Sequence, residues 1–374
     1  MLMTESNVLN KLSELGQSVW YDNISRELIQ GGQLAEIVSS GVKGLTSNPS
    51  IFEKAVASSS IYDSDISDFN HEDVSDIDVY EAIAIADIKS AADVLMSQYQ
   101  FTNGENGFVS LEVNPHLAND TDGTIKEARR LFIDVDRPNL MIKVPGTKAG
   151  IPAIETLISE GINVNVTLIF SSEAYSEVRE AYILGLEKLH AAGGDCSKVS
   201  SVASFFVSRV DTAVDAILTQ DMPHRKDLIG KTAIANAKVA YRDFQRSFSS
   251  KRFATLKSVG AKVQRPLWAS TSTKNPDFSD VLYVEELIGS DTVTTMPDAT
   301  LEAYNDHGFP QSTIEKGVDE AIAHLNFIRN SGINLNEITD LLVEAGVKQF
   351  ADSFDNLIHN ISTKRKSLLT ESKQ

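Results

Sequence analysis

Lys143 lies in the apolar, strand-like run LMIKVP at 140–145. Apolar walls favour the neutral form of a lysine, because desolvation disfavours the ammonium ion. A neutral amine can attack a carbonyl carbon and form a Schiff base. A lysine at a strand end can also extend to solvent or pair with a carboxylate. The run therefore leaves a catalytic and a structural interpretation of Lys143 open.

Two carboxylates stand in similar surroundings. Glu112 lies in SLEVNP and Asp22 in WYDNI, both of which are strand-like. Carboxylates beside a Schiff-base lysine can pass protons while a carbinolamine forms, dehydrates and undergoes carbon–carbon cleavage. Each could instead form a structural ion pair with Lys143 or accept hydrogen bonds from the backbone, and the residues alone leave this alternative open.

Further polar side chains could bind a substrate. Asn165 and Thr167 are two residues apart in NVNVTLIF (163–170), so they face one side of a predicted strand and could hold a water molecule or a hydroxyl. Arg209 offers a planar fork and Lys274 a point charge for a phosphate. The alternatives are a purely structural Asn–Thr pair and surface salt bridges for the two cations.

Recurring apolar runs supply the elements that must position these groups. The sequence predicts strands at 18–22, 43–47, 107–113, 140–145, 163–170, 199–207, 265–271 and 291–297. Helical spacing separates most of these runs, and strands that alternate with helices pair in parallel through right-handed crossovers. Eight such units predict an α/β fold, a closed (β/α)8 TIM barrel with its active site at the C-terminal strand ends.

The polar residues late in or just after these strands are the candidate site residues of such a barrel. They are Asp22, Asn48, Glu112, Lys143, Asn165, Thr167, Ser204, Arg209, Ser270, Lys274 and Thr294 or Thr295. The sequence has no GxGxxG or GxxxxGK[ST] pattern, which removes the main support for a dinucleotide-binding or P-loop fold.

Three segments depart from a simple barrel repeat. We expect one domain over 1–374, with a helical insertion near 53–78, an extended segment near 208–262 and C-terminal helices near 312–363. The chain has no Gly/Ser-rich or Pro-rich linker that would divide it. The tail from Lys364 onward is expected to fray, as chain ends commonly do.

Composition excludes several partner classes. With 34 basic and 52 acidic residues the net charge is −18, which argues against nucleic acid or an anionic membrane as the partner. Cys196 is the single cysteine, so an intramolecular disulfide is excluded. The histidines lack metal-ligand spacing, and we expect no metal. No signal peptide or long apolar span is evident, which predicts a cytoplasmic protein.

Several motifs appear in a familiar order. KGLTSNPSIF, SLEVNP, LMIKVPGT, INVNVTLIFS and SFFVSRVD each end a predicted strand, and WASTSTKNP follows them. Together they resemble transaldolases of the longer bacterial type, and the resemblance spans nearly the whole chain. It implies a cofactor-independent transferase of the pentose phosphate pathway.

The resemblance also implies roles for individual residues. Lys143 in MIKVPGT matches the Schiff-base lysine and Asp22 in WYDNIS the acid/base aspartate. Glu112 in SLEVN matches a glutamate that works through a water molecule with a threonine, here Thr167. The matches to groups that contact the sugar or its phosphate are Asn48, Asn165, Ser204, Phe206 and Arg209.

One position departs from the family pattern. Better-known transaldolases carry a second phosphate arginine shortly after an Ala-Ser pair, whereas Ala269-Ser270 is followed here by TSTKNP. Lys274 could take that role at a spacing about two residues different, or Ser270 could be the closer contact. Phe206 stands where related sugar-phosphate aldolases have tyrosine, and phenylalanine there favours transfer over simple cleavage.

The resemblance predicts a specific reaction. A dihydroxyacetone unit would pass from sedoheptulose 7-phosphate to glyceraldehyde 3-phosphate and give erythrose 4-phosphate and fructose 6-phosphate, reversibly. One alternative is a Schiff-base aldolase of the same class that releases free dihydroxyacetone. Another is a non-catalytic barrel that only binds sugar phosphates. We expect a monomer or a homodimer.

Overall fold

The computed structural model describes residues 7–69 and 74–371. Its centre is a closed barrel of eight parallel strands in chain order, which confirms the predicted α/β barrel. The strands are β1 Gln17–Tyr21, β2 Gly44–Thr46, β3 Phe108–Glu112, β4 Leu140–Pro145, β5 Val164–Ile169, β6 Ser201–Phe206, β7 Arg265–Ala269 and β8 Thr292–Met296. Each boundary lies within about two residues of its predicted position.

Helices connect the strands and cover the barrel. Those before β5 are α1 Val8–Glu14, α2 Arg26–Gln30, α3 Gln33–Ser39, α4 Pro49–Ser58, α5 Asp63–Asp68, α6 Asp76–Phe101, α7 Thr121–Val135 and α8 Gly150–Ser159. Those after β5 are α9 Ser172–Ala191, α10 Ser208–Asp221, α11 Thr232–Phe248, α12 Lys251–Ser258, α13 Leu282–Glu286, α14 Asp298–His307, α15 Val318–Asn330 and α16 Leu335–Glu371.

Local sequence signals start several helices. The side chain of Ser171 accepts a hydrogen bond from the Ala174 amide at 3.1 Å and caps α9. Ser75 and Asp78 form a reciprocal capping box at the start of α6. These caps satisfy amide groups that would otherwise lack partners at the helix ends, and so fix where each helix begins.

The interior of the barrel is closely packed. Trp20 and Trp268 are fully buried, which agrees with packing rather than substrate stacking. The Trp20 indole lies against Gly44, where an added Cβ would be 2.5 Å from the ring. Only glycine therefore fits at the start of β2 opposite this tryptophan.

The segments expected to exceed the simple repeat are mainly helical. Helices α4, α5 and the start of α6 occupy the region of the 53–78 insertion, of which residues 70–73 lie outside the described residues. Helices α10, α11 and α12 occupy 208–262, and α15 and most of α16 occupy 312–363. That the chain forms a single domain over 1–374 stays a prediction.

The expectation of a frayed tail is wrong up to Glu371, because α16 continues to that residue. Lys364 forms an ion pair of 2.7 Å with Asp63, and Arg365 forms one of 2.7 Å with Asp76. The two contacts join the tail to α5 and to the start of α6. Residues 372–374 lie outside the described part of the chain.

Helix α16 crosses the C-terminal end of the barrel. Gly346 packs against Leu168 of β5, and an added Cβ would lie 2.8 Å from that leucine. Ser353 shares a hydrogen bond of 2.7 Å with Ser50, and the Phe354 ring packs edge-on to Tyr80 at 5.5 Å. The helix is therefore anchored on both sides of the barrel mouth.

Across residues 7–69 and 74–371, none of the helices combines enough length and apolar character to cross a membrane.

Candidate active site

Lys143 lies inside the barrel on β4 and is 5% exposed. Its Nζ donates a hydrogen bond to the carbonyl oxygen of Ser47 at 3.1 Å and lies 3.5 Å from Oε2 of Glu112. The remaining side of the amine faces the ring of Phe350, whose centroid is 5.7 Å away. The buried amine therefore has a backbone carbonyl, a carboxylate and one aromatic ring around it.

Glu112 ends β3, directly opposite Lys143 in the strand pairing. Burial raises the pKa of Glu112 to about 7, and the nearby Lys143 charge only partly opposes this rise. Neither carboxylate oxygen has a hydrogen-bond partner within the described residues. A carboxyl group with a pKa near neutrality can both accept and donate a proton, which is the requirement for acid/base work.

A polar belt crosses the barrel beside the lysine. Asn165 pairs with Lys143 in the sheet. Its amide nitrogen donates to Ser110 Oγ at 3.0 Å, and its oxygen accepts from Ser204 Oγ at 2.7 Å. These bonds fix the orientation of the Asn165 amide, so that a sugar hydroxyl would meet a preorganised group.

Thr167 is fully buried, and its hydroxyl has no hydrogen-bond partner among the described residues. The next residue, Leu168, has a φ of 59°, and the β5–β6 register shifts between Val166 and Ile169. A left-handed leucine is sterically unfavourable and needs support from its surroundings. Gly346 of α16 lies directly against the Leu168 side chain, so the C-terminal helix packs on the distortion beside Thr167.

Asp22 follows β1, and its backbone amide donates to the Met296 carbonyl of β8 at 3.0 Å. Burial raises the pKa of this carboxyl group, while the positive charge of Lys143 lowers it. Asp298 at the start of α14 raises it further and accepts a short hydrogen bond from Tyr21. The strand ends thus bring the second carboxylate within electrostatic range of the lysine.

Asn48 has a local role as well as a place at the mouth. Its side-chain oxygen accepts a hydrogen bond from the Ile51 amide at 3.1 Å and caps α4, which has Pro49 at its first position. The cap uses only the oxygen, so the amide nitrogen can still donate to a ligand. The adjacent Ser47 carbonyl is the one that holds Lys143.

The candidate phosphate end lies after β6 and β7. Arg209 in the first turn of α10 is partly exposed, forms no ion pair in the described chain, and stacks 5.3 Å above the ring of Phe206. Burial lowers the pKa of its guanidinium. Phe206 packs in turn on Phe170 at 5.1 Å, which fixes the platform under the arginine.

Ser270 and Lys274 differ in their surroundings. Ser270 Oγ lies 2.9 Å from Ser208 Oγ, and its carbonyl accepts the Ser208 amide at 3.0 Å, so it stands at the N-terminus of α10 beside Arg209. A helix N-terminus favours bound anions. Lys274 is exposed on the following loop. The geometry favours Ser270 as the nearer partner of Arg209.

The motifs do not single out Phe350 or Ser208. Phe350 comes from α16, about 200 residues after Lys143 in the chain, and is 4% exposed over the lysine. A spacing signal does exist, because Phe350, Phe354, Leu357 and Ile361 recur at helical intervals and are all buried. That pattern identifies the buried face of α16 but not what the face covers.

The arrangement brings together a buried amine, two carboxyl groups with raised pKa values, an oriented amide and a cation at the far side. Such a set can form a Schiff base with a carbonyl compound and move protons around it. Among the described residues no three or more His, Cys, Asp or Glu side chains cluster as a metal site. The assigned role of each residue stays a prediction.

Comparison with known proteins gives a consistent result. The family described as transaldolase/fructose-6-phosphate aldolase matches residues 19–361. A protein named transaldolase 2 from Nostoc sp. is 45% identical over 375 residues, which cover 97% of this chain and 98% of that protein. Transaldolases from Neisseria gonorrhoeae and Thiobacillus denitrificans are 47% and 48% identical, covering 94% and 95% of this chain and 98% and 99% of theirs.

The matched region includes β2 to β8, β1 from Val19 onward, and every candidate site residue. The barrel, the buried lysine and the nearly full-length similarity agree with one another. The chain belongs to the transaldolase/fructose-6-phosphate aldolase family.

Proposed function

We propose that this protein is a transaldolase of the pentose phosphate pathway, a transferase that carries a dihydroxyacetone unit on Lys143. The observation that carries the proposal is the position of Lys143, buried in the barrel 3.5 Å from Glu112. Membership of the family and relatives named transaldolase over nearly the whole chain support the same reaction.

The proposed donor is sedoheptulose 7-phosphate or fructose 6-phosphate. The neutral amine of Lys143 attacks the ketone carbon, and loss of water from the carbinolamine gives a protonated Schiff base. Glu112 and Thr167 would hold the water involved, because the described residues supply no hydrogen bond to their buried side-chain oxygens, although Glu112 Oε2 lies 3.5 Å from Lys143 Nζ. Asn165 and Asn48 would bind the sugar hydroxyls near the carbonyl.

Carbon–carbon cleavage follows. Asp22 removes the proton of the hydroxyl on the carbon that becomes the aldehyde, the adjacent carbon–carbon bond breaks, and its electron pair moves onto the Schiff-base nitrogen. The aldose phosphate leaves, and an enamine of dihydroxyacetone stays on Lys143. Addition of this enamine to glyceraldehyde 3-phosphate or erythrose 4-phosphate runs the same steps in reverse.

The phosphate group orients both donor and acceptor. Arg209 would bind it with Ser270 and the N-terminus of α10, while Lys274 could add charge from its loop. Burial of Arg209 makes an ionic hydrogen bond stronger there than in water. The negative net charge of the chain does not prevent binding of a phosphate, because the local charge of Arg209 dominates at the barrel mouth.

Transfer of the dihydroxyacetone unit to an acceptor competes with its release from Lys143 as free dihydroxyacetone. A Schiff-base aldolase would release free dihydroxyacetone, and the family description includes such an enzyme. Phe206 and Phe350 are nearly fully buried beside the arginine and the lysine, respectively. Both rings would limit access of water to the enamine, which favours transfer.

We propose the cytoplasm as the place of action, because phosphorylated sugars are charged and do not cross a bilayer unaided. A monomer or a homodimer is proposed, with neither nucleic acid nor membrane as a partner. No cofactor is proposed, since the protonated Schiff base itself accepts the electron pair.

An acceptor-dependence assay tests the reaction. The protein would be incubated with fructose 6-phosphate, with and without erythrose 4-phosphate, and glyceraldehyde 3-phosphate and dihydroxyacetone would be measured. Transaldolase activity predicts sedoheptulose 7-phosphate formation and little free dihydroxyacetone. Equal release of dihydroxyacetone without an acceptor would indicate an aldolase. Thermal stabilisation by the sugar without any turnover would indicate a binding protein.

A further inference from the structure

A second cavity lies at the opposite end of the barrel from Lys143. Its volume is 450 Å³, and its walls include the N-terminal ends of several strands. Arg265 is the first residue of β7, whereas Ala269 ends that strand at the active-site side. Five residues of strand separate the two ends by about 15 Å. The N-terminal cavity, as we call it, is therefore distinct from the catalytic mouth.

Four cations line the N-terminal cavity: Lys43, Lys257, Lys262 and Arg265. None of them forms an ion pair within the described residues. Two exposed carboxylates, Glu105 and Asp291, also line it, so positive side chains outnumber negative ones two to one. The lining is therefore positive in a chain whose net charge is −18.

Arg265 is held in place by neutral groups. Its Nη1 donates to Ser18 Oγ at 2.9 Å and its Nη2 to the Glu105 carbonyl at 2.5 Å. Burial lowers the pKa of its guanidinium to about 10. The hydrogen bonds thus orient the side chain, and the nearby carboxylates of Glu105 and Asp291 oppose its charge without forming an ion pair with it.

Lys262 and Lys43 line the same cavity as the arginine. Lys262 donates to the carbonyl groups of Asn103 and Gly104, next to the residue that holds Arg265. Lys43 forms no side-chain hydrogen bond within the described residues, and burial lowers the pKa of its ammonium group. Burying cations that carboxylates oppose only through space is costly, and an anion bound among them would offset part of that cost.

We propose that the N-terminal cavity is a binding site for a small phosphate-bearing anion, separate from the active site. The planar fork of Arg265 suits a phosphate, and the lysines supply point charges. The volume lies within the range of small-molecule sites.

Lysine labelling tests the site directly. The intact protein would be treated briefly with acetic anhydride at increasing inorganic phosphate, with ionic strength held constant by chloride, and the acetylated lysines quantified by mass spectrometry. Lys126 on α7 is exposed and serves as the internal reference. At a phosphate concentration about three times Kd, labelling of Lys43 and Lys262 should fall to about a quarter.

Three variants make the test specific. Lys43→Met removes one charge without removing a side-chain hydrogen bond to a described residue, and it should abolish the protection of Lys262. Lys148→Met, at an exposed lysine outside the cavity, should leave that protection intact and keeps Lys126 as the reference. Arg209→Ala should leave the protection unchanged, since it alters only the catalytic mouth.

Saturable protection shared by the cavity lysines, and lost in Lys43→Met, would support the proposal. Protection equal to that of Lys126, protection that never saturates because phosphate is an adventitious ion only, or protection lost in Arg209→Ala would overturn it.

Discussion

The most informative perturbation of the active site is Glu112→Gln. Burial raises the pKa of Glu112 to about 7 from an ordinary value of 4.5, although Lys143 lies 3.5 Å away. The native protein therefore keeps a proton on this group that the unfolded chain releases above about pH 5. Glutamine has a similar shape and cannot titrate, so it removes this proton-binding difference while it preserves most of the packing.

The magnitude follows from proton linkage. The native state binds more protons than the unfolded state between the two pKa values, so the free energy of unfolding falls as pH rises. From pH 5 to pH 8 the loss attributable to Glu112 is about 2–3 kcal/mol. The Glu112→Gln variant should lack this loss, and its kcat should fall by about 10²-fold or more if the carboxyl group moves protons.

Urea unfolding at pH 5 and pH 8, monitored by tryptophan fluorescence, measures how much the free energy of unfolding changes between the two pH values. The wild type, Glu112→Gln and the control Glu344→Gln on the exposed face of α16 would be compared. The wild type and the control should lose more stability between the two pH values than Glu112→Gln does. Parallel losses in all three proteins would refute the assignment of a raised pKa to Glu112.

Three further outcomes are expected. Arg209→Ala should raise KM for phosphorylated sugars by about 10- to 100-fold with a smaller change in kcat, because a charge-assisted hydrogen bond is lost; an unchanged KM would exclude it from the phosphate site. Ser270→Ala should raise KM more than Lys274→Met does, and the reverse order would assign the second contact to Lys274. Phe350→Ala should increase free dihydroxyacetone relative to transferred product, whereas Phe350→Leu should keep the ratio; product analysis by chromatography distinguishes the two.

The barrel could be predicted because its strands are buried on both faces. Such strands read as nearly continuous apolar runs, and LMIKVP at 140–145 coincides with β4. Strand-end polar residues then indicate the site, since the carboxyl ends of all strands meet at one mouth. Lys143, Glu112 and Asn165 lie side by side on three consecutive strands for this reason.

The parts that could not be predicted depend on contacts between distant segments. Phe350 reaches Lys143 only because α16 crosses the mouth, and no local pattern encodes that crossing. The left-handed backbone conformation of Leu168 has no local sequence signal either. Its side chain packs against Gly346 of the same helix, which lies far along the chain. The order of the tail could not be predicted for the same reason, because its ion-pair partners lie about 300 residues earlier in the chain.

At the candidate phosphate site, the sequence indicated a segment but not which of its residues lies nearer to Arg209. The motif WASTSTKNP contains both a lysine and hydroxyl groups, and spacing alone left Ser270 and Lys274 as equal candidates. The contact between Ser270 and Ser208 at the N-terminus of α10 favours Ser270, and the role of each residue stays a prediction. The sequence motif alone could not favour one of the two residues, because the conformation of the loop after β7 also depends on its contact with α10.

Borohydride trapping tests the central claim most directly. The protein would be incubated with fructose 6-phosphate, reduced with sodium borohydride, digested and mapped by mass spectrometry, with Lys148 as a nearby lysine outside the barrel interior. The account predicts a borohydride-dependent adduct the size of dihydroxyacetone on Lys143 and none on Lys148. A folded protein that leaves the sugar intact and carries no adduct, or an adduct on another lysine, would contradict it.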